Sequence, residues 1–291
     1  MPPRRFSRLA EFVQAACGEP ADVAASLDLL PFRCGGIDIG WTTPAFAARL
    51  ARWPLWFQCL PDSVTLRTTP DSPEMRSEAV AQVTAALRAE AVINGWRDEL
   101  VSVAPAFGAD ELFRIERAAT RHFGLMAYAS HATGFIAERG DKPLWISRRA
   151  ATKSVDPGRL DNLVGGRIAA GFSPSQTIMK EAWEEAGIPM SLLGIIKPAA
   201  VIQVAYPVPE GLHQETLFSY DLALPGHFTP VNQDGEVASI QQMSVAEAIE
   251  AILEGEFTLD AGTVTIDFLI RHELLGEGAD ELAHLHRLIR G

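Results

Sequence analysis

Residues 165–188 constrain this chain more than any other stretch: Gly165-Gly166 and Gly171 lead into Ser173-Pro174, then Glu181, Glu184 and Glu185, then Gly187-Ile188. The caps define a helix. Ser173 suits the N-cap, Pro174 the first helical position, and Gln176 completes a capping box, while Gly187 and Pro189 close the far end. At 3.6 residues per turn the three glutamates fall at i, i+3 and i+4 and share one face. Ile178, Met179, Ala182, Trp183 and Ala186 lie away from them and are expected to pack on a sheet. A glutamate stripe alone reads as a solvated helix face. The glycines change that reading, because they cost backbone entropy unless the loop needs positive φ or close approach to another group. Carboxylates this close repel unless a cation sits among them, so the pattern points to a divalent metal and a phosphorylated ligand.

The rest of the composition narrows the classes. The chain has 291 residues, 47% hydrophobic and 21% charged, which suits a globular protein of one large or two modest domains. With 25 basic and 37 acidic residues the net charge is −12. Non-specific nucleic-acid or anionic-membrane binding depends on basic surface and is not expected. An anionic substrate then needs a metal or a local basic pocket. Cys17, Cys34 and Cys59 have neither zinc-ligand nor paired spacing. A cytoplasmic setting fits them, and neither a targeting segment nor a membrane span is expected.

Periodicity divides the chain. In residues 1–120, helical patterns at Leu9–Ala16, Pro44–Trp53 and Ser77–Glu90 flank an alternating strand at Ser63–Thr68, which reads as a small α+β domain. In residues 121–291, strands are expected at Leu125–Ala129, Thr133–Ala137, Leu144–Arg148, Ile195–Ala205 and Thr216–Leu222. Helices follow at Val245–Leu253, near Gly262–His272, and at Ala279–Ile289, the last docking on the domain through Leu282, Leu285 and Ile289. Strands on both sides of the acidic helix suit a mixed sheet between helical layers.

The glycine-to-glutamate stretch resembles the Nudix box, G-x5-E-x7-R-E-U-x-E-E-x-G-U with U a bulky aliphatic residue. Gly166, Glu181, Glu184, Glu185, Gly187 and Ile188 match in register, while Phe172 replaces the first Glu, Lys180 the Arg, and Ala182 a larger aliphatic. The likeness extends to Gly95-Trp96-Arg97-Asp98-Glu99-Leu100, Glu116-Arg117-Ala118-Ala119, Lys153, Pro157–Asn162, Asp234-Gly235-Glu236 and Ile266–His272. Together these are similar to a Nudix subfamily with an extra N-terminal domain, related to the Nudix part of thiamine pyrophosphokinase-related proteins. The resemblance implies an α/β/α sandwich with a mixed sheet and Mg²⁺-dependent hydrolysis, with Mn²⁺ as a substitute. It implies a small-molecule diphosphate as substrate, in particular thiamine diphosphate and its damaged oxo-derivatives, cleaved to monophosphate and phosphate. A homodimer is compatible with that fold.

Mg²⁺ prefers oxygen donors in near-octahedral array. Glu181 and Glu185 are the principal candidate ligands, and Glu184 a further ligand or water activator. Glu236, in an Asp-Gly turn, is the candidate to replace the missing carboxylate at Phe172. Gly166, Lys153 and Lys180 are assigned to substrate or cofactor binding, Lys180 chiefly by orienting Glu184 or Glu185. Arg148 and Arg149 read mainly as surface charges. His131 reads as a satisfied structural histidine and Trp96 as domain packing. Two alternatives stand beside the hydrolase. One is a Nudix-fold sensor that binds a coenzyme or nucleotide diphosphate without cleaving it. The other is an isopentenyl diphosphate isomerase, disfavoured because no cysteine follows Cys59.

Overall fold

The computed structural model describes residues 3–276 and 278–290. The first half holds α1 (Pro3–Ala16), α2 (Pro20–Ser26), β1 (Leu30–Cys34), β2 (Ile37–Thr42), α3 (Pro44–Leu50), β3 (Phe57–Leu60), β4 (Ser63–Leu66), α4 (Pro73–Ala89), β5 (Leu100–Val103) and β6 (Phe113–Glu116). A 3-10 turn, Arg117–Phe123, leads to β7 (Met126–Ile136), β8 (Leu144–Arg149), β9 (Leu160–Asn162), β10 (Val164–Arg167) and α5 (Pro174–Ala186). Then come β11 (Ile196–Val208), β12 (Gly211–Leu224), β13 (Val237–Met243), α6 (Val245–Leu253), α7 (Leu259–Arg271) and α8 (Ala279–Arg290). None of the described helices is long and apolar enough to cross a membrane.

The larger sheet runs β11-β12-β7-β8-β13, with β10 paired to β7 and β9 to β8. β12 and β7 are parallel and the other pairs antiparallel, so the sheet is mixed. Its two faces follow the strand period of two. Ala132 and Ile136 of β7 join Leu163, Val164 and Leu222 under Ile178, Ala182 and Ala186 of α5. Ala129 and Phe135, pointing the other way, join Ile146, Ile202 and Leu217 under α1, α6, α7 and α8. Helices on both faces make the expected α/β/α sandwich. The first half builds its own core on the sheet β2-β1-β4-β3, where Phe32, Phe46, Phe57 and Phe123 cluster with Val80, Val83 and Leu87 of α4.

Several sequence expectations shift. The two strands flanking Ser130-His131-Ala132 are one, β7, because its polar side chains find partners: Ser130 Oγ donates to the Pro174 carbonyl at 2.9 Å, and His131 bonds Asn162. The helix read over Ser77–Glu90 after a Ser72-Pro73 start does begin there, at Pro73 behind Ser72, whose hydroxyl accepts from Met75 N. The face expected to pack under α5 is narrower than the sequence suggested. Ile178, Ala182 and Ala186 are buried, but Met179 and Trp183 are 37% and 54% exposed, since at helical spacing they lie on the flank of the buried stripe. α1 has a buried stripe of Phe6, Leu9, Val13 and Ala16, and it packs with α7 and α8 of the second half. Amphipathicity predicts a buried face but does not name its partner.

Candidate active site

A cavity of about 520 Å³ lies between the two halves, walled by Arg49, Arg97 and Arg117 from the first and by Lys153, Gly166 and Glu181 from the second. The helix that carries the glutamates is fastened at both ends. Ser173 Oγ accepts from Gln176 N at 3.2 Å and Gln176 Oε1 accepts from Ser173 N at 2.9 Å, while Gly187 adopts the left-handed conformation at φ 62°. Such a cap contributes about 1 kcal/mol.

The glycines ahead of α5 serve contact more than torsion. A Cβ on Gly166 would lie 2.4 Å from Glu181 Cγ, and one on Gly165 would lie 3.1 Å from the His131 ring. Only Gly171 of the three has positive φ, +86°. This close approach lets Gly165 N donate to Glu185 Oε2 at 2.8 Å. Glu185 is 6% exposed, and burial pushes its carboxyl up to about 8, opposed by the Gly165 N–H and reinforced by Glu181 and Asp161. Burial also raises Glu181, against the pull of Lys180. Lys180 Nζ sits 2.5 Å from Glu184 and 3.3 Å from Glu181, and among the described residues no ion pair with Glu185 joins them.

The turn after β12 brings in Glu236. Gln233 N donates to the Glu184 carbonyl at 2.8 Å, which ties this loop to the end of α5. Gly235 has φ +81°, Asp234 Oδ1 accepts from Glu236 N at 2.8 Å, and the Glu236 carboxylate pairs with Lys153 and, at 3.4 Å, with Arg97. Lys153 is lowered by burial, an effect that the nearby Glu185 opposes. Gly166, Lys153, Lys180, Glu181, Glu184 and Glu236 therefore border one cavity, and Glu185 lies just behind it.

Other candidates separate. Arg149 is half-buried and pairs with Asp161 at 2.7 Å, so it is no simple surface charge, whereas Arg148 turns to the Gly158 carbonyl and Glu256. His131 Nδ1 bonds Asn162 Oδ1 at 2.9 Å, the satisfied histidine expected, although its ring also borders the cavity. Trp96 stacks under Arg88 and donates to Asp98 at 2.8 Å. Phe172 is 47% exposed. Sequence reasoning missed Arg167, His213, Glu215 and Asp260, which border the same cavity and carry no local motif.

Residues 11–127 match a domain of unknown function, DUF4743, and residues 128–264 match the NUDIX domain. The second half of the chain is a Nudix domain. It is 40% identical over 228 residues to Nudix hydrolase 24, chloroplastic, of Arabidopsis thaliana, covering 78% of this chain and 62% of that one. Nudix hydrolase 20, chloroplastic, of the same plant is 38% identical over 230 residues, 78% of this chain and 61% of its own. An uncharacterized protein of Saccharomyces cerevisiae, YJR142W, is 29% identical over 194 residues, 62% of this chain and 56% of that one. The chain thus spans less than two thirds of the length of these relatives. The Nudix match ends within α7, and the DUF4743 match begins within α1.

Proposed function

We propose that this Nudix protein is a divalent-metal-dependent hydrolase that cleaves a diphosphate linkage by attack of water on phosphorus, with thiamine diphosphate and its oxo-derivatives as substrates. The observation that carries the reading is Glu185, buried between the Gly165 N–H and Lys153 and backed by Glu181, at the edge of a cavity rich in arginine. The donors are the oxygens that Mg²⁺ favours: Glu181, Glu184 and Glu185 lie within one turn of α5, and a carboxyl that burial lifts to about 8 is one that a nearby cation would ionise. Glu181, Glu184 and Glu185 would hold it. When bound, the ion neutralises charge on the phosphate oxygens.

The chain's own groups supply the rest. Arg97, Arg117 and Lys153 face the cavity and can hold phosphate oxygens by charge-assisted bonds. Glu236 accepts the proton of the attacking water, an aid worth typically 10²–10⁴-fold. Its pairs with Lys153 and Arg97 hold it at the cavity until substrate competes for those cations. Gly166 leaves room for the Glu181 side chain, and Lys180 holds Glu184 in place. A cavity of about 520 Å³ is in the range that encloses a small organic ligand. The thiamine-like organic group rests on the resemblance across both domains.

The test is phosphate release from thiamine diphosphate, its oxo-derivatives, ADP-ribose, NADH and nucleoside triphosphates, with Mg²⁺, with Mn²⁺ and with chelator. Metal-dependent release from the thiamine compounds alone is expected. Weak cleavage of many compounds would retain the chemistry and discard the substrate. Tight binding of one compound with no cleavage of any would replace the hydrolase with a sensor.

A further inference from the structure

Away from the box helix, three metal-binding side chains converge. His213 and Glu215, two apart on β12, point to the same side of the sheet, and Asp260 comes from the first turn of α7. One donor atom from each lies within 4.8 Å of the others. His213 Nε2 is 3.3 Å from Glu215 Oε2 and 3.6 Å from Asp260 Oδ2, yet it makes no hydrogen bond, although the residue is only 2% exposed. An unbonded ring nitrogen in the interior is costly unless something not yet counted bonds it.

Each remaining oxygen faces a partner of its own. Glu215 Oε1 is ion-paired with Arg167 Nε at 3.3 Å without a hydrogen bond, and Asp260 Oδ1 accepts the Tyr206 hydroxyl at 3.1 Å. Each carboxylate thus has one oxygen beside an outer partner, a charge for Glu215 and a hydroxyl for Asp260, and the other turned to the point that His213 Nε2 also faces. Outer partners that fix the inner ligands in this way are characteristic of protein metal sites. The spacing agrees: a tetrahedral ion with bonds of ~2.0–2.1 Å sets its ligands roughly 3.3 Å apart.

We propose that His213, Glu215 and Asp260 form a second cation site, separate from the box glutamates, for a borderline transition ion of the Zn²⁺ class. One imidazole with two carboxylates suits such an ion better than Mg²⁺, which favours oxygen donors alone. Three protein ligands leave a fourth position, and all three residues border the cavity, so that position is open to water or to an electron-rich group of the ligand. The competing occupant is a proton on His213, which would make a closed ion cluster with Glu215, Asp260 and Arg167.

The experiment separates the two without substrate. The full chain carrying Glu181→Gln, Glu184→Gln and Glu185→Gln is titrated with Co²⁺ and with Zn²⁺, and bound metal is counted after gel filtration. One equivalent per chain is expected, with the intense visible band of a four-coordinate Co²⁺ ion. Adding His213→Gln, or separately Asp260→Asn should the first variant not fold, removes the band and lowers binding at least tenfold, with melting in chelator as the folding control. No metal bound by the triple variant, or full binding that survives both substitutions, overturns the site. Either result leaves the hydrolase reading standing or falling on its own assay.

Discussion

Glu181, Glu184 and Glu185 crowd one side of a helix, with Lys180 paired to two of them at the surface. Glu215 and Asp260 converge with His213 within 4.8 Å deeper in the protein, where Arg167 and His213 stand against them. The difference shows in their protons. Burial drives Glu185 up to about 8 because the Gly165 N–H and Lys153 do not compensate it fully. Burial acts on Glu215 too, yet Arg167 and His213 hold it well below the usual carboxylate range. The first cluster is electrostatically unfinished and invites a cation from solution. The second has Arg167 and His213 of the chain set against its carboxylates, so a metal there competes with a proton for His213 Nε2.

The largest expected effect falls on the unfinished cluster. Glu185→Gln keeps an oxygen for the Gly165 N–H but loses the charge, so turnover should fall about 10²–10⁴-fold while melting without metal is unchanged or higher. Near-normal phosphate release in that variant would remove α5 from the mechanism. Arg167→Met tests the balanced cluster. Stranding Glu215 in the interior should cost about 3–5 kcal/mol in urea unfolding, whereas Lys180→Met, at an exposed pair, should cost at most ~1 kcal/mol. Equal costs for the two would dissolve the contrast.

Gly166→Ala should be milder for the fold than for the chemistry. The new methyl meets the flexible Glu181 side chain rather than backbone, so Glu181 swings away and phosphate release drops roughly tenfold with stability changed by about 1 kcal/mol. Unchanged release would show that Glu181 does not need its present position. A third ion cluster supplies a control remote from both. Asp221 is held below its ordinary value: burial raises it, but bonds from Arg271 and His272 at 2.7 and 2.8 Å outweigh that. Its stabilisation is present above the unfolded pKa of about 4 and fades as pH falls below it. Asp221→Asn should therefore flatten the acid limb of a melting-temperature profile, and an unaltered limb would show that other carboxylates govern it.

The legible and illegible parts divide along the same contrast. α5 could be read because everything that defines it is local: the Ser173 box, Gly187, and glutamates one turn apart. Close approach, one of the two reasons offered for the glycines, holds at Gly166, and positive φ holds at Gly171. Glu236 could be placed near the glutamates by resemblance, but its pairs with Lys153 and Arg97 could not, since they join distant loops. His213 and Glu215 left no trace because Tyr206, Arg167 and Asp260, the residues that give them meaning, arrive from other strands and a helix. Trp183 misled for a simpler reason: a tryptophan beside a buried stripe looks like part of it.

α1 sets the order in which the molecule can be completed. Phe6, Leu9, Val13 and Ala16 share a core with Val264, Leu285 and Ile289, so much of the cover for α1 comes from helices far along the chain. During synthesis that apolar stripe must wait, uncovered, while the sheet between them is made. The first half, with its own aromatic core, can settle early, but the sandwich has an open side until α7 and α8 emerge. A ribosome stalled before α7 would hold a chain whose glutamates are all present and whose second core is still exposed to chaperones and proteases.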